Sequence, residues 1–230
     1  MPVQQFGELI SDPRKLTRHI IKVILISLAL AIVAGYFFDQ TVSAYFANPD
    51  IKATIRGPAR VLTDAGLSEY YFILALGVWA LAKWVAPHIG ALKSHSHRVD
   101  FYRRWGLNFF AALLLCGAIT HIIKFAVGRQ RPHKTPDFDP FVFTPFTTHW
   151  HWHSFSSGHS QVIFTAATMM SVAFPRFRWF WIPFAMLVAA TRIVVHDHFL
   201  SDIIFGGGVG YVGTLLALSV MRNKTKNGLY

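Results

Sequence analysis

Thr191-Arg-Ile-Val-Val-His-Asp-His-Phe-Leu-Ser-Asp202 sits where one apolar run gives out and another begins, and it sets an arginine, two histidines and two carboxylates between them. Charge in or beside a bilayer is costly, so ionisable residues there mark a functional site by default. The expected occupant is an anion. His198 and Asp202 are four residues apart, so if this segment begins the last helix they share one face of it. The carboxylate then holds one ring nitrogen and fixes the tautomer, leaving the other nitrogen free to attack.

Two earlier stretches look built to complete the same site. Lys124-Phe-Ala-Val-Gly-Arg-Gln-Arg131-Pro132 ends one apolar run, and Ser156-Ser157-Gly158-His159 opens another. The three stretches together resemble the tripartite signature of the type 2 phosphatidic acid phosphatase (PAP2) superfamily. That signature is lysine, six residues, Arg-Pro; then Pro-Ser-Gly-His; then Ser-Arg, five residues, histidine, three residues, aspartate. Every spacing fits: Lys124 to Arg131-Pro132, Ser157-Gly158-His159, and Arg192 to His198 to Asp202. Ser156 stands in place of the family's proline and Thr191 in place of its serine, and neither departure removes a charge or the nucleophile.

The composition fits a protein that crosses membranes. Hydrophobic residues make up 53% of the 230 and charged residues 14%, too apolar for an ordinary soluble domain. The net charge of +11 would suit nucleic acid, but no soluble basic domain carries it, and membrane proteins are basic on their cytoplasmic side for topological reasons. No nucleic-acid partner is expected. Cys116 is the single cysteine and lies inside an apolar run, which excludes an intrachain disulfide and a cysteine metal site.

Six apolar stretches define an all-α bundle of six transmembrane helices, a single domain over 1–230 with its motif-bearing core at 101–221. They run from Ile20 to Phe38, Tyr70 to Val85, Leu107 to Ile123, Ser160 to Phe174, Trp179 to Val195 and Ile203 to Met221. The first is too long for a signal peptide and lacks a cleavage site, so it reads as a retained anchor. The fourth would rise only about 22 Å as a helix, against a hydrocarbon thickness of about 30 Å. Its first turn, with Ser157 and His159, therefore lies near the headgroup level, a depth that suits a phosphate attached to a lipid.

An even number of spans puts both termini on one side. Alternate segments carry fourteen lysines and arginines against eight, and the richer set, which includes both termini, is expected to be cytoplasmic. All three motif stretches then fall on the opposite side, which the count does not assume. In a bacterial inner membrane that face is periplasmic. The outer segment 39–69 shows an amphipathic pattern, with Lys52, Arg56 and Arg60 four residues apart and a break at Gly57-Pro58, and reads as an interfacial helix or lid.

The resemblance implies a division of labour. Lys124, Arg131 and Arg192 would bind phosphate oxygens, and Ser157 and Gly158 at a helix N-terminus would add a hydroxyl and backbone N–H donors. His198 would be the nucleophile, oriented by Asp202, and would pass through a phosphohistidine; His159 would protonate the leaving alcohol and then activate water. Side chains supply the positive charge, so no metal and no cofactor is called for. The substrate would be a lipid phosphate monoester or pyrophosphate: phosphatidylglycerophosphate, phosphatidic acid, undecaprenyl pyrophosphate or lipid A 1-phosphate. No obligate protein partner is inferred.

Other readings compete. An anion or lipid transporter would use the same buried basic residues. Vanadate-dependent haloperoxidases share the anion-binding set, but they are soluble. His149-Trp-His151-Trp-His153, if extended, points three imidazoles to one side; an aromatic roof over a lipid entrance explains the tryptophans better than a metal site does. His196 and Asp197 lie between the fixed positions of the third motif and are secondary candidates. His88, His95 and His97 read as part of a solvated basic loop. Gly208-Val-Gly210-Tyr-Val-Gly213 spells a dinucleotide-binding pattern, but no strand precedes it, and small residues four apart inside an apolar run read as helix packing.

Overall fold

Asp12 starts the first long helix: its carboxylate accepts hydrogen bonds from the backbone N–H groups of Arg14 and Lys15, and Pro13 stands at the first helical position. The computed structural model describes residues 3–93 and 95–226. The outermost residues of the expected 1–230 domain, with Ser94, lie outside the described residues. The helices are α1 (Val3–Ser11), α2 (Pro13–Phe37), α3 (Asp39–Ala47), α4 (Pro49–Thr63), α5 (Ser68–Ala80), α6 (Gly90–Lys93), α7 (Ser96–Val127), α8 (Gly158–Ala173), α9 (Arg178–Val194) and α10 (Leu200–Lys226). No strand occurs among the described residues, only an isolated bridge between Arg129 and Phe143.

Helix α8 lies at the centre. Its neighbours α7, α9 and α10 bury most of its residues from Ser160 to Met169, while α2 flanks α10, α5 flanks α7 and α4 flanks α9. The close contact of α10 with α8 depends on two glycines. A Cβ at Gly206 would lie 2.5 Å from the Ser157 carbonyl oxygen, and one at Gly210 would lie 2.3 Å from that of Gln161. The glycine run is therefore a packing surface inside α10. On the other side of α8, Trp105 donates its indole N–H to the Met169 carbonyl at 2.8 Å and packs with Phe109, Leu113, Val162 and Ala166.

Five helical stretches are long and apolar enough to cross a membrane: Pro13–Phe37, Pro49–His88, Ser96–Val127, Pro175–Val194 and Leu200–Arg222. The expected fourth span, Ser160 to Phe174, corresponds to α8, whose 16 residues fall short of that length, so six long spans are not found among the described residues. The apolarity of α8 reflects enclosure by its neighbours, whereas α2 leaves Ile21, Leu25, Leu30 and Ile32 exposed, as a lipid-facing helix does. The break expected at Gly57-Pro58 is also absent. Helix α4 continues through Pro58, because a proline inside a helix removes one hydrogen bond and bends the axis without ending it when packing holds the flanks. Here Ala59 and Thr63 are buried and α4 packs on α9.

Gly128 ends α7 in the left-handed region at φ 58°, its N–H closing on the Lys124 carbonyl. A Cβ there would lie 1.8 Å from the Thr144 carbonyl oxygen. This turn folds the connection 128–157 back over the end of the bundle, where the Ser154 N–H donates to the Arg129 carbonyl at 3.0 Å and the Arg131 N–H to that of His151 at 2.9 Å. The first and second motifs are thereby laced together.

Gly210→Val is expected to lose about 1–3 kcal/mol through overpacking and to lower the thermal unfolding midpoint in detergent by several degrees. Gly77→Ala, where nothing lies within 4 Å, should hold or raise that midpoint. Equal midpoints for the two variants would contradict this packing account.

Candidate active site

The C-terminal ends of α7 and α9, the N-terminal ends of α8 and α10 and the connection 128–157 meet at one end of the bundle. Asp202 is at the centre of that meeting and is fully buried. Its carboxylate accepts from the Phe199 N–H at 2.8 Å, the Ser154 hydroxyl at 2.5 Å and Arg129 Nη1 at 2.6 Å, and its carbonyl accepts from the Ser157 N–H at 3.1 Å. His198 Nδ1 faces Asp202 Oδ2 at 3.5 Å. The pair was expected on one helical face. Instead His198 lies in the turn before α10, and Asp202 reaches back from the first turn, capping Phe199 as it does so. Nδ1 is the nitrogen turned to the carboxylate, so Nε2 is the one left for chemistry.

The cations surround this pair. Lys124, at the end of α7, donates to the His153 carbonyl at 2.6 Å. Arg131 Nε donates to the Trp150 carbonyl at 3.2 Å, and its guanidinium lies over the Trp150 ring at 5.1 Å. Arg192 Nη1 donates to Thr63 Oγ1 at 2.8 Å, while its Nη2 pairs with Asp197 Oδ2. Asp197 Oδ1 is also 3.7 Å from Arg131 Nη1, so this carboxylate joins the two arginines. Burial pushes the His198 imidazole well below its ordinary range, Asp202 opposes that shift, and the charges of Lys124 and Arg131 add to it. The ring is therefore neutral, as a nucleophilic imidazole must be.

Ser157 caps α8, its hydroxyl accepting from the Ser160 N–H at 3.3 Å and the Ser160 hydroxyl at 3.0 Å. Its own N–H is engaged by Asp202 and that of Ser160 by the Ser157 hydroxyl, so of the backbone donors expected here the amides of Gly158 and His159 remain for an anion. His159 follows on α8 and packs against Gly66, where a Cβ would come within 2.9 Å of the ring. Lys124 and His159 stand at the head of a groove of about 460 Å³ between α5, α7 and α8, walled by Phe72, Leu113 and Val162 with Glu69 and His121 at its edge.

Some expectations need correction. His149 to His153 is not extended: Trp150–Trp152 forms a 3-10 turn, which breaks the one-sided array of imidazoles, and His153 Nε2 lies 2.8 Å from the Thr147 carbonyl oxygen. The Trp150 ring lies 5.1 Å from the Arg131 guanidinium. His196 turns away from the site, with Nε2 3.0 Å from the Ser43 carbonyl oxygen on α3. Arg129, Asp39, Ser154, Ser201 and Thr63 belong to the site's framework and were not read from the sequence. The cost of charge beside a bilayer, applied to Asp39 and Arg129 as it was to Asp202, would have flagged two of them.

The sequence pattern of the PAP2 superfamily matches residues 105–226, which span all three motifs. The chain belongs to the PAP2 superfamily. Curated members of similar sequence include the lipid A 1-phosphatase of Rhizobium etli, 29% identical over 184 residues, which cover 80% of this chain and 77% of that protein. The lipid A 1-phosphatase of Rhizobium johnstonii is 27% identical over 198 residues, 86% of this chain and 79% of that one. Among solved structures, the PAP2-type phosphatidylglycerolphosphate phosphatase of Bacillus subtilis shares the fold at a TM-score of 0.55 and 18% identity, over 89% of this chain and 96% of that one. The protein is thus an all-helical, multi-pass membrane protein of the PAP2 type.

A guanidinium can grip an anion through two parallel N–H groups, which a lysine cannot reproduce, and Arg192 Nε is buried without a hydrogen-bond partner among the described residues. Arg192→Lys is expected to weaken orthovanadate binding to the detergent-solubilised protein about tenfold or more. Unchanged affinity by calorimetric titration would remove Arg192 from the anion site.

Proposed function

We propose that this PAP2 protein hydrolyses a lipid phosphate monoester at the periplasmic face of a bacterial inner membrane, with the glycosyl 1-phosphate of lipid A as the favoured substrate. The observation that carries the reading is the His198 imidazole set against the buried Asp202 carboxylate, Nδ1 3.5 Å from Oδ2, with Lys124 and Arg131 near enough to act on the ring. The names of the curated relatives favour the lipid A substrate over the other candidates.

In this reading the phosphoryl oxygens lie against Lys124, Arg131 and Arg192, with the Ser157 hydroxyl and the first-turn amides of α8 below them. His198 Nε2 attacks phosphorus in line as the bond to the lipid oxygen breaks, and His159, protonated from solvent once the anionic phosphate is bound beside it, gives that oxygen its proton. The phosphohistidine cation is stabilised by Asp202. His159 then takes a proton from water, whose oxygen attacks phosphorus, and inorganic phosphate leaves as Nε2 is freed. Positive charge comes from side chains throughout, as phosphoryl transfer requires.

The sidedness belongs to the same proposal. Helices α7 and α9 end at the site while α8 and α10 begin there, so α8 runs away from the site in the opposite sense to α9. Counted as a short, enclosed crossing, it gives an even number of passes and both termini on one side, which the lysine and arginine count favours as the cytoplasmic one. The groove headed by Lys124 and His159 would admit the lipid sideways.

The test is phosphate release by detergent-purified protein from lipid A, phosphatidylglycerophosphate, phosphatidic acid and undecaprenyl pyrophosphate, with and without chelator. Release from lipid A is expected to be fastest, indifferent to chelator, and reduced about 10⁴-fold or more in His198→Ala. No release from any of these lipids, or turnover surviving in His198→Ala, would overturn the reading. Phosphate flux into proteoliposomes that persists in His198→Ala would establish the transporter instead.

A further inference from the structure

We infer that Asp39, at the start of α3 and outside the region matched by the PAP2 pattern, is a positioning residue that acts through Arg129 to keep Asp202 effective as the partner of His198. The inference rests on the reading of His198 as nucleophile and extends its support to an element that carries none of the three motifs. Three side chains make the link. Arg129 lies between two carboxylates, its Nη1 2.6 Å from Asp202 Oδ1 and its Nη2 2.8 Å from Asp39 Oδ2. Ser201 closes the triangle: its hydroxyl accepts from Arg129 Nη1 at 2.6 Å and donates to Asp39 Oδ2 at 2.5 Å, and its N–H donates to Asp39 Oδ1 at 2.9 Å. Arg129 Nε donates to the Pro140 carbonyl at 2.9 Å, and its guanidinium lies 4.3 Å from the centre of the Phe199 ring. Both carboxylates are fully buried and the arginine side chain is 5% exposed.

Charge balance governs a medium where water cannot screen. A buried carboxylate with an arginine 2.6 Å away presents little net negative charge to a third group, because the two charges largely cancel at a distance. Asp202 has a second duty, to stabilise the cation that develops on His198 when it takes a phosphoryl group. Lys124 and Arg131 also act on Asp202, but both face the phosphate, whose own charge offsets them. Arg129 faces no substrate, and its positive charge is offset by Asp39. Two carboxylates and one guanidinium leave a single negative charge, shared across the cluster and directed at His198 by the contact of Asp202 Oδ2 with Nδ1. A clamp that served only to tie α3 to α10 would need the hydrogen bonds but not the second carboxylate.

The charge argument separates from the structural one in a double-mutant comparison. Asp39→Asn leaves the cluster neutral and is expected to lower kcat for phosphate release about tenfold or more, with KM within about twofold, because the oxygen-binding residues are untouched. Adding Arg129→Gln in the same chain restores the single negative charge, and the double variant should turn over faster than Asp39→Asn by about threefold or more. Ser201→Ala removes hydrogen bonds but no charge and should keep kcat within about threefold; thermal unfolding in detergent reports the fold of each variant. Asp39→Asn with wild-type kcat, a double variant no faster than Asp39→Asn, or a Ser201→Ala loss as large as that of Asp39→Asn would each overturn the inference. If Asp39→Asn does not accumulate folded, the double variant Asp39→Asn/Arg129→Gln decides: with the single negative charge kept, its kcat should stay within about tenfold of wild type, and a larger loss would overturn the inference. His198→Ala runs alongside: residual turnover there would sink the nucleophile itself, whereas an inactive His198→Ala beside an unaffected Asp39→Asn would sink only the role of Asp39.

Discussion

The fold depends on a carboxylate shut away from solvent. Asp202 lies fully buried at the start of α10, and a buried charge is tolerated only when it is paired and hydrogen-bonded. Its partners come from far apart in sequence: Arg129 after α7, Ser154 before α8 and the N–H of Phe199 in the turn leading into α10. The Asp202 carbonyl adds the N–H of Ser157, which ties the start of α8 to the same point. Satisfying one group therefore brings together all three segments that carry the PAP2 signature. The glycines of α10 let that helix approach α8 closely enough for the contacts to form.

Helices outside the matched region 105–226 complete the arrangement. Asp39 and the Ser43 carbonyl of α3 hold Arg129 and His196, Thr63 at the end of α4 holds Arg192, and Gly66 in the following 3-10 turn makes room for His159. The N-terminal third of the chain is thus more than a membrane anchor, since it supplies the wall against which the motif residues are set. Truncating it would leave Arg129 and Arg192 with unpaired donors in a buried place, a larger penalty than the loss of its apolar contacts alone.

Much of this was legible in the sequence, for reasons that differ residue by residue. Lys124, Arg131, Arg192, His198 and Asp202 stood out because charges at the ends of apolar runs are costly and their spacings matched a known signature. Long apolar helices were legible because hydropathy tracks the bilayer. Arg129 was hidden among the variable positions of its own motif, and Asp39 lies 90 residues away from the guanidinium it pairs with. No local pattern encodes such a contact. Helix α8 was legible as a short apolar run but not as an enclosed one: enclosure by protein and enclosure by lipid both select apolar side chains, so hydropathy does not separate a buried helix of 16 residues from an ordinary span. The extended reading of His149 to His153 failed because alternation on paper does not choose the backbone, and here a single turn serves to bring the His151 and His153 carbonyls to Arg131 and Lys124.

The central claim is that the imidazole at position 198 takes the phosphoryl group. It is tested most directly by mixing the protein with lipid carrying labelled phosphate, quenching in alkali within the first turnover and mapping the label by mass spectrometry. The account requires acid-labile phosphate on His198, accumulating further in His159→Ala, where its hydrolysis is slowed. Label on another residue, or complete turnover with no phosphorylated protein at any time, would contradict it.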